Sequence, residues 1–377
     1  MAFWDIEGLG ACRRNAGTKA APGVGRLALD ITKNGSVVSC ILVGMTGRTV
    51  QGRVLEPLIS DEQRALIPEV SGNSINGLGE PARRRPSPVY WHPPSRKHPY
   101  AALQTWMITK SSREVPVTAD MNNTLGGRGS KTRTERASAP AHDTPENWSR
   151  RVKEFALSNE ADLVGIARMK KEWLFEGYDT AAPWIVVLGI KMDHEDLAKA
   201  PESESVIEVM RAYNRGTRAS RSLADWILGQ GYDAEPEGGP IAGKLPMIPA
   251  AIACGFGELG KHGSIINRQF GSSFRLACVL TDLTLLPDPE DRFGVDDFCI
   301  SCRLCEQACP PDAIEDHKQL VRGEIKWYVD FDKCVPYFNE TYGCGICIAI
   351  CPWSRPGIAP RLAQKLARRA KSPTPTP

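Results

Sequence analysis

No apolar run in this sequence approaches the ~18 residues that crossing a bilayer requires. Residues 185–190 and 346–350 are far too short, so no integral membrane segment is expected. Charge of one sign is lacking as well. Lys and Arg number 47 against 44 Asp and Glu, a net +3, which gives no whole-molecule attraction to nucleic acid. No G-x-G-x-x-G stands between a clear strand and a helix. Gly255-Phe-Gly257-Glu-Leu-Gly260 has that spacing, but no strong strand precedes it and no acidic ribose partner is evident, so a Rossmann nucleotide site is not expected. An export signal is wanting too. Arg13-Arg14 is a twin arginine, yet Arg26, Asp30 and Lys33 separate it from the mostly apolar residues 36–45, where a signal's apolar region should follow directly. A cytoplasmic location is the expectation.

What is present is an ordinary globular composition over 377 residues, 42% hydrophobic and 24% charged, enough for two domains or for one large domain with extensions. The charge is uneven. Residues 1–145 hold 19 basic against 12 acidic side chains, a balance of +7, and the remainder holds 28 against 32, a balance of −4. A mildly basic segment of this kind reads as solvated surface. Gly, Pro, Ser and Arg are frequent in residues 1–145, and periodic apolar stretches are few. Arg83-Arg84-Arg85-Pro86-Ser87-Pro88 and Gly126-Gly127-Arg128-Gly129-Ser130 read as loops or linkers. A short strand is expected over 36–43, and no function is assigned to this extension.

Order sharpens at Thr144. Thr144-Pro145-Glu146 reads as an N-cap, a proline at the first helical position and an acidic first turn. Trp148, Val152, Phe155 and Ala156 then share one helical face. Residues 163–166 and 184–188 read as buried strands. Val206, Val209, Met210 and Tyr213 share a helical face that continues through Leu223, Trp226 and Ile227, and Gly229-Gln230-Gly231 stops it. Residues 276–280 are a further strand. Helices alternating with strands give an α/β or α+β domain over 146–290. A cysteine module follows at 291–357, and a basic helix with a Ser/Pro/Thr tail fills 358–377.

Of twelve cysteines, eight lie between 299 and 351. In a chain read as cytosolic, this density means metal before disulfides. The first motif is Cys299-x2-Cys302-x2-Cys305-x3-Cys309-Pro310, and the second is Cys334-x9-Cys344-x2-Cys347-x3-Cys351-Pro352. A cubane [4Fe–4S] cluster needs four thiolates at tetrahedral corners. Three cysteines two residues apart wrap one of its faces, and the cysteine before proline reaches the neighbouring cluster. Cys299, Cys302, Cys305 and Cys351 are therefore expected to hold one cluster, and Cys309, Cys334, Cys344 and Cys347 the other. Zinc sites pair two short C-x2-C knuckles instead. Cys12, Cys40, Cys254 and Cys278 read as plain thiols. Clusters only move electrons, so the larger domain is expected to hold the chemistry or a further cofactor.

The stretch from Cys334 to Gly357, CVPYFNETYGCGICIAICPWSRPG, resembles the second cluster motif of corrinoid-dependent reductive dehalogenases. So do residues 298–314, 251–271 (AIACGFGELGKHGSIINRQFG) and 274–286 (FRLACVLTDLTLL). The likeness covers roughly 145–357 and leaves the first 145 residues out. It implies an α+β fold, with a nitroreductase-like corrinoid-binding domain followed by a dicluster ferredoxin-like domain. It also implies cobalamin with its lower base detached. No Asp-x-His-x-x-Gly supplies a cobalt-ligating histidine, and Asp193-His194-Glu195 has the wrong spacing.

The resemblance further implies a tyrosine acid about sixty residues before a basic residue. Tyr213 and Arg275, 62 apart, fit it; their plainer readings are a core tyrosine on an amphipathic helix and a carboxylate-paired arginine. Lys261, His262, Ser264 and Asn267 sit in a Gly-rich loop suited to a phosphate or to corrin amides, or else simply solvated. The implied reaction is reductive dehalogenation of a small organohalide. No flavin or nicotinamide module follows Cys351, so electrons are expected from a ferredoxin or flavodoxin with its reductase. Two other readings stand beside this one: an epoxyqueuosine-reductase-like tRNA-modifying enzyme, whose acid would be an aspartate that Arg211-Ala212-Tyr213-Asn214-Arg215 does not offer, and a plain dicluster electron-transfer protein.

Overall fold

The structure is a computed structural model that describes residues 28–33, 36–41, 48–50, 53–55, 59–93, 97–119, 134–241 and 243–371. The chain separates into two compact units, Met1–Gly47 and Arg48–Pro377. In the first, strands Ala28–Lys33 and Ser36–Ile41 pair as an antiparallel hairpin. The strand expected over 36–43 is thus present to Ile41. Residues 42–43, the twin arginine and the 126–130 linker lie outside the described residues.

The core of the second unit is a four-stranded sheet in which Leu163–Arg168, Trp184–Lys191, Phe274–Thr281 and Ala234–Glu237 stand side by side in that order. Every pairing is antiparallel, which decides between the two fold classes left open by the sequence in favour of α+β. Side chains alternate across the sheet with period two. Val186, Leu188 and Ile190 enter one apolar layer together with Ala277 and Val279. Ile185 and Val187 enter the other together with Cys278 and Leu280. Because both faces are covered, strand Trp184–Lys191 is buried at every position except Lys191, and its sequence reads as an unbroken apolar run rather than an alternating one.

Helices Pro145–Leu157 and Ser203–Gly229 pack on the first of these layers. The Thr144 side chain accepts from Asn147 N, and Pro145 stands in the first turn. Trp148, Val152 and Ala156 are buried along one face, and Phe155 stacks on Trp226 with ring centroids 5.2 Å apart. The long helix comes close to the sheet because Gly216 faces it. A Cβ at Gly216 would stand 3.2 Å from Ala277 Cβ and 3.4 Å from Ile190 Cγ1. The G-x-G-x-x-G spacing also has a packing cause. At Gly257, φ is +134°, and a Cβ would meet Ile266 O at 1.9 Å. The close approach of the short strand Ile265–Ile266 therefore requires glycine there.

Residues 59–93 and 97–119 are not a loose extension. They form a collar on helix Phe331–Glu340, the helix that contains Cys334. Gln63 Nε2 donates to Pro336 O at 3.0 Å and to Glu340 Oε1 at 2.8 Å. Asn73 Oδ1 accepts from Phe331 N and from Tyr328 Oη. Tyr90 Oη donates to Asn339 Oδ1 at 2.7 Å, and Lys110 Nζ lies 2.9 Å from Glu340 Oε2. Leu103, Tyr90, Tyr100 and Val335 form the apolar seam beneath these bonds. Arg85, inside the stretch that reads as a linker, donates to the carbonyls of Leu174, Phe175 and Tyr178 and so ties the collar to the sheet domain.

Candidate active site

The eight motif cysteines fall on short helices and the turns between them. Cys299 is in helix Val295–Ser301, whose C-cap is Cys302; Cys305 is in Leu304–Ala308, whose C-cap is Cys309. Cys334 lies on Phe331–Glu340, Cys347 on Ile346–Ala349, and Cys344 in the left-handed turn between them. The fold gathers them in two groups. Cys351 is within electrostatic reach of Cys299, Cys305 and Cys302. Cys334 reaches Cys344 and Cys309, and Cys347 reaches Cys344, Cys334 and Cys309, with Cys305 of the other group also close. Among the described residues, no three His, Cys, Asp or Glu converge on a single metal ion. The two observations agree if the sulfurs stand at the wider corners of a cubane instead of around one ion. Burial pushes the thiols of Cys305, Cys334, Cys344 and Cys351 up to about 12. As free thiols they would thus be neutral, and binding a cluster would displace their protons.

A cleft of about 280 Å³ opens between the long helix, the start of strand Phe274–Thr281 and the second cysteine group. Tyr213, Arg275 and Cys344 all line it. Arg275 pairs with Ile190 across the sheet, and Tyr213 is three residues before the close-packed Gly216. Helix and strand therefore bring the two side chains together, with Arg275 Cζ 5.4 Å from the Tyr213 ring centroid. Among the described residues, Arg275 Nε is buried without a hydrogen-bond partner. A buried guanidinium nitrogen left open costs free energy unless something fills its site.

The cleft also has walls that the sequence did not signal: Trp91 and Met107 from the collar, and Phe338 and Tyr342 from the cysteine module. The collar residues had no periodicity to mark them. Tyr342 is held by Glu114, whose acceptance of its hydroxyl proton pushes its pKa up to about 12.

The four loop residues are placed elsewhere. None of them lines this cleft. His262 Nδ1 accepts from Ser264 N at 3.2 Å, so the neutral ring's proton sits on Nε2, 3.1 Å from Ser272 Oγ. Burial lowers His262 to about 4, which keeps that ring neutral. Asn267 Nδ2 donates to Phe256 O, and its Oδ1 accepts from Gln269 N and Phe270 N. Lys261 is buried beside the first cysteine group. A second cleft of about 270 Å³ shares the wall residue Met192 and is lined by Lys191, His194, Phe270, Ser273 and Arg355 among others.

Residues 298–354 match the model of the 4Fe-4S dicluster domain. This decides the chemistry of the cysteine module: it is a two-cluster iron–sulfur domain. A tetrachloroethene reductive dehalogenase of Sulfurospirillum multivorans is 27% identical over 266 residues, which cover 58% of this chain and 52% of that protein. A solved catabolic reductive dehalogenase aligns with a TM-score of 0.60 at 25% identity, covering 66% of this chain and 38% of the other. Over these stretches the chain is similar to the reductive dehalogenases. An epoxyqueuosine reductase of Leadbetterella byssophila is 33% identical over 144 residues, covering 32% of this chain and 43% of that protein. A further reductive dehalogenase structure, reported for a B12-dependent mechanism, shares the fold at 23% identity and a TM-score of 0.58, covering 80% of this chain and 46% of the other. The chain thus spans about half the length, or less, of the reductive dehalogenases it matches. No helix among its described residues is long and apolar enough to cross a membrane.

Proposed function

We propose that this protein is an iron–sulfur oxidoreductase that removes halide reductively from a small organohalide. Electrons would pass through two [4Fe–4S] clusters, and Tyr213 would supply the proton. In this reading, Cys299, Cys302, Cys305 and Cys351 hold one cluster, and Cys309, Cys334, Cys344 and Cys347 hold the other. The observation that carries it is the cleft in which a phenol, a half-buried guanidinium whose Nε is enclosed, and a cysteine of the second group meet. Few other chemistries need an acid, a fixed cation and an electron port at one small cavity.

The reaction R–X + 2e⁻ + H⁺ → R–H + X⁻ needs one proton at the carbon that loses halide. Tyr213 Oη would give it, and the phenolate left behind would be costly in an apolar wall. Arg275 offsets that charge, because guanidinium stays protonated even when buried. Trp91, Met107, Val209 and Phe338 give the cleft apolar walls suited to a halogenated ring or alkene. Its volume suits such a substrate and is too small for a whole corrinoid. The residues that would hold a corrinoid are those of the two clefts that share Met192: Arg275 with its open Nε on one side, and Lys191, Ser273 and Arg355 on the other. When bound, a corrinoid supplies the carbon–halogen cleavage. The roles of Tyr213 and Arg275 in proton supply and charge balance are the same wherever it sits. A ferredoxin or flavodoxin with its reductase would be the electron source.

The test is anaerobic purification with added cobalamin, analysis for cobalt, iron and sulfide, and a screen of halogenated phenols and aliphatics for halide release. One corrinoid per chain, a Co(II) spectrum without nitrogen splitting, and released halide are expected. Cobalt uptake with reduction of epoxyqueuosine in tRNA and no halide release would favour the second reading. Absence of cobalt uptake would leave only the iron–sulfur protein.

A further inference from the structure

Lys261 is among the largest fully buried side chains of the protein, 1% exposed. Lysine is almost never buried to this extent unless its charge is compensated. Its Nζ lies 3.6 Å from Glu306 Oε2, an ion pair longer than a hydrogen bond, and 5.1 Å from the centroid of the Trp327 ring. Among the described residues, Nζ has no hydrogen-bond partner. Glu306 does not compensate it alone, because its carboxylate is also engaged by Arg303. Asp316 is also in reach of Lys261, but it is exposed and paired with His317. A buried cation so weakly paired points to a closer anion.

The surroundings name that anion. Trp327 packs in one apolar group with Cys299 and Cys351. Glu306 directly follows Cys305 in the chain. The backbone N–H of Lys261 reaches the Cys299 sulfur, and its side chain is within electrostatic reach of Cys299 and Cys305. Each group has a carboxylate in reach, Asp296 at Cys299 and Asp330 at Cys334, so the ammonium is what sets the two apart. The charged side chain other than cysteine that reaches Cys334 is Asp330, an anion. Lys333, next to Cys334, turns to Asp312 O and Glu315 at the surface.

We propose that Lys261 sets the reduction potential of the cluster held by Cys299, Cys302, Cys305 and Cys351, and holds it above the value that cluster would have without the buried ammonium. This rests on the assignment of those four cysteines to one cluster. A four-thiolate cubane is an anion and becomes more negative on reduction, so a fixed cation favours the reduced form. Net charge and hydrogen bonds to sulfur are established controls on cluster potential, and Lys261 supplies both from one residue. Glu306, at the other end of the ion pair, acts in the opposite sense.

The experiment uses the full chain, reconstituted anaerobically, with iron and sulfide analysis and a redox titration followed by electron paramagnetic resonance. Lys261→Met should keep about eight iron and move one midpoint negative by at least about 59 mV, which is a tenfold change in the one-electron equilibrium. The other midpoint should stay where it is. Lys261→Arg should keep the parent value, and Glu306→Gln should move the same midpoint positive. If Lys261→Met holds its iron and neither midpoint moves, or both move equally, the proposal is wrong. If Lys261→Met does not fold, Glu306→Gln decides: a single positive shift supports the proposal, and no shift overturns it. About four iron in the unsubstituted protein would instead sink the cluster assignment, and the proposal with it.

Discussion

The two cysteine groups are built from similar sequence and set in different surroundings. The group of Cys309, Cys334, Cys344 and Cys347 presents Cys344 to the cleft that holds Tyr213 and Arg275. Its helix Phe331–Glu340 is braced by the collar. In the group of Cys299, Cys302, Cys305 and Cys351, Cys299 and Cys351 pack with Phe293, Trp327 and Trp353, and the buried Lys261 is in reach of Cys299 and Cys305. One group presents a cysteine to the cleft and the other lies beside a buried ammonium. On the proposed function, the difference gives a direction: the cluster beside the cleft would hand electrons on, and the cluster beside the cation would accept them readily.

The sharpest way to break this comparison is to remove one group. Cys344→Ala should take the iron content from about eight to about four per chain. It should abolish halide release, because the cleft loses its electron port. Cys351→Ala should also leave about four iron, with the spectrum of the cleft-side cluster intact. Equal damage to both spectra by either substitution would mean that the two groups are not separate clusters.

The next effect is at the acid. Tyr213→Phe removes the proton and changes little volume. Turnover should fall at least ~10²-fold, the lower end for general acid catalysis, while iron content and both cluster midpoints stay at the parent values. Arg275→Met should lower turnover by less, roughly 10-fold or more, since it removes about 1.4 kcal/mol or more of charge compensation and leaves the acid in place. Steady-state halide release at saturating donor measures both. A Tyr213→Phe protein that turns over like the parent would make Tyr213 a wall residue and move the acid elsewhere, with Tyr342 the next candidate on the cleft.

Much of this was legible in the sequence. Thr144-Pro145 announced the helix that it caps, and the apolar runs at 163–166, 184–188 and 276–280 announced three of the four sheet strands. The cysteine spacings announced two clusters. The pairing of Tyr213 with Arg275 was not visible in periodicity or composition. It came from the 62-residue spacing within a family resemblance, and the physical reason for it is Gly216, which lets the helix approach the strand. The collar was illegible because its stability comes from long-range side-chain bonds, such as Arg85 to three carbonyls and Asn73 to Phe331 N. Such bonds leave no periodic trace. The loop at 261–267 has residue types that suit an anion, but His262 spends its ring nitrogens on Ser264 and Ser272, and Asn267 spends its amide on Phe256, Gln269 and Phe270. Residue type alone does not say where a polar side chain will point.

The smallest expected effect tests whether the collar matters to one group only. Glu340 ends the helix of Cys334 and receives Ser60 N at 2.7 Å, Ser60 Oγ at 2.6 Å, Gln63 Nε2 at 2.8 Å and Lys110 Nζ at 2.9 Å. Burial alone would raise its carboxyl, but these bonds overcome burial and hold it at about 2. The folded value lies below the ordinary carboxylate range of about 4.3. Stability from this carboxylate is therefore complete above about pH 5 and is lost as pH falls toward 2. Glu340→Gln keeps the shape and some hydrogen bonds while deleting the charge. It should lower unfolding free energy at pH 7 by roughly 1–3 kcal/mol, the range for losing charged hydrogen bonds in a mostly buried site. It should also flatten the dependence of stability on pH between 5 and 2. Denaturant titrations of parent and variant at several pH values measure both. Because the collar's bonds described above grip the helix of Cys334, chelator challenge of this variant should strip iron first from the cleft-side cluster. Equal loss from the two clusters would show that the collar stabilises the whole unit and does not distinguish them.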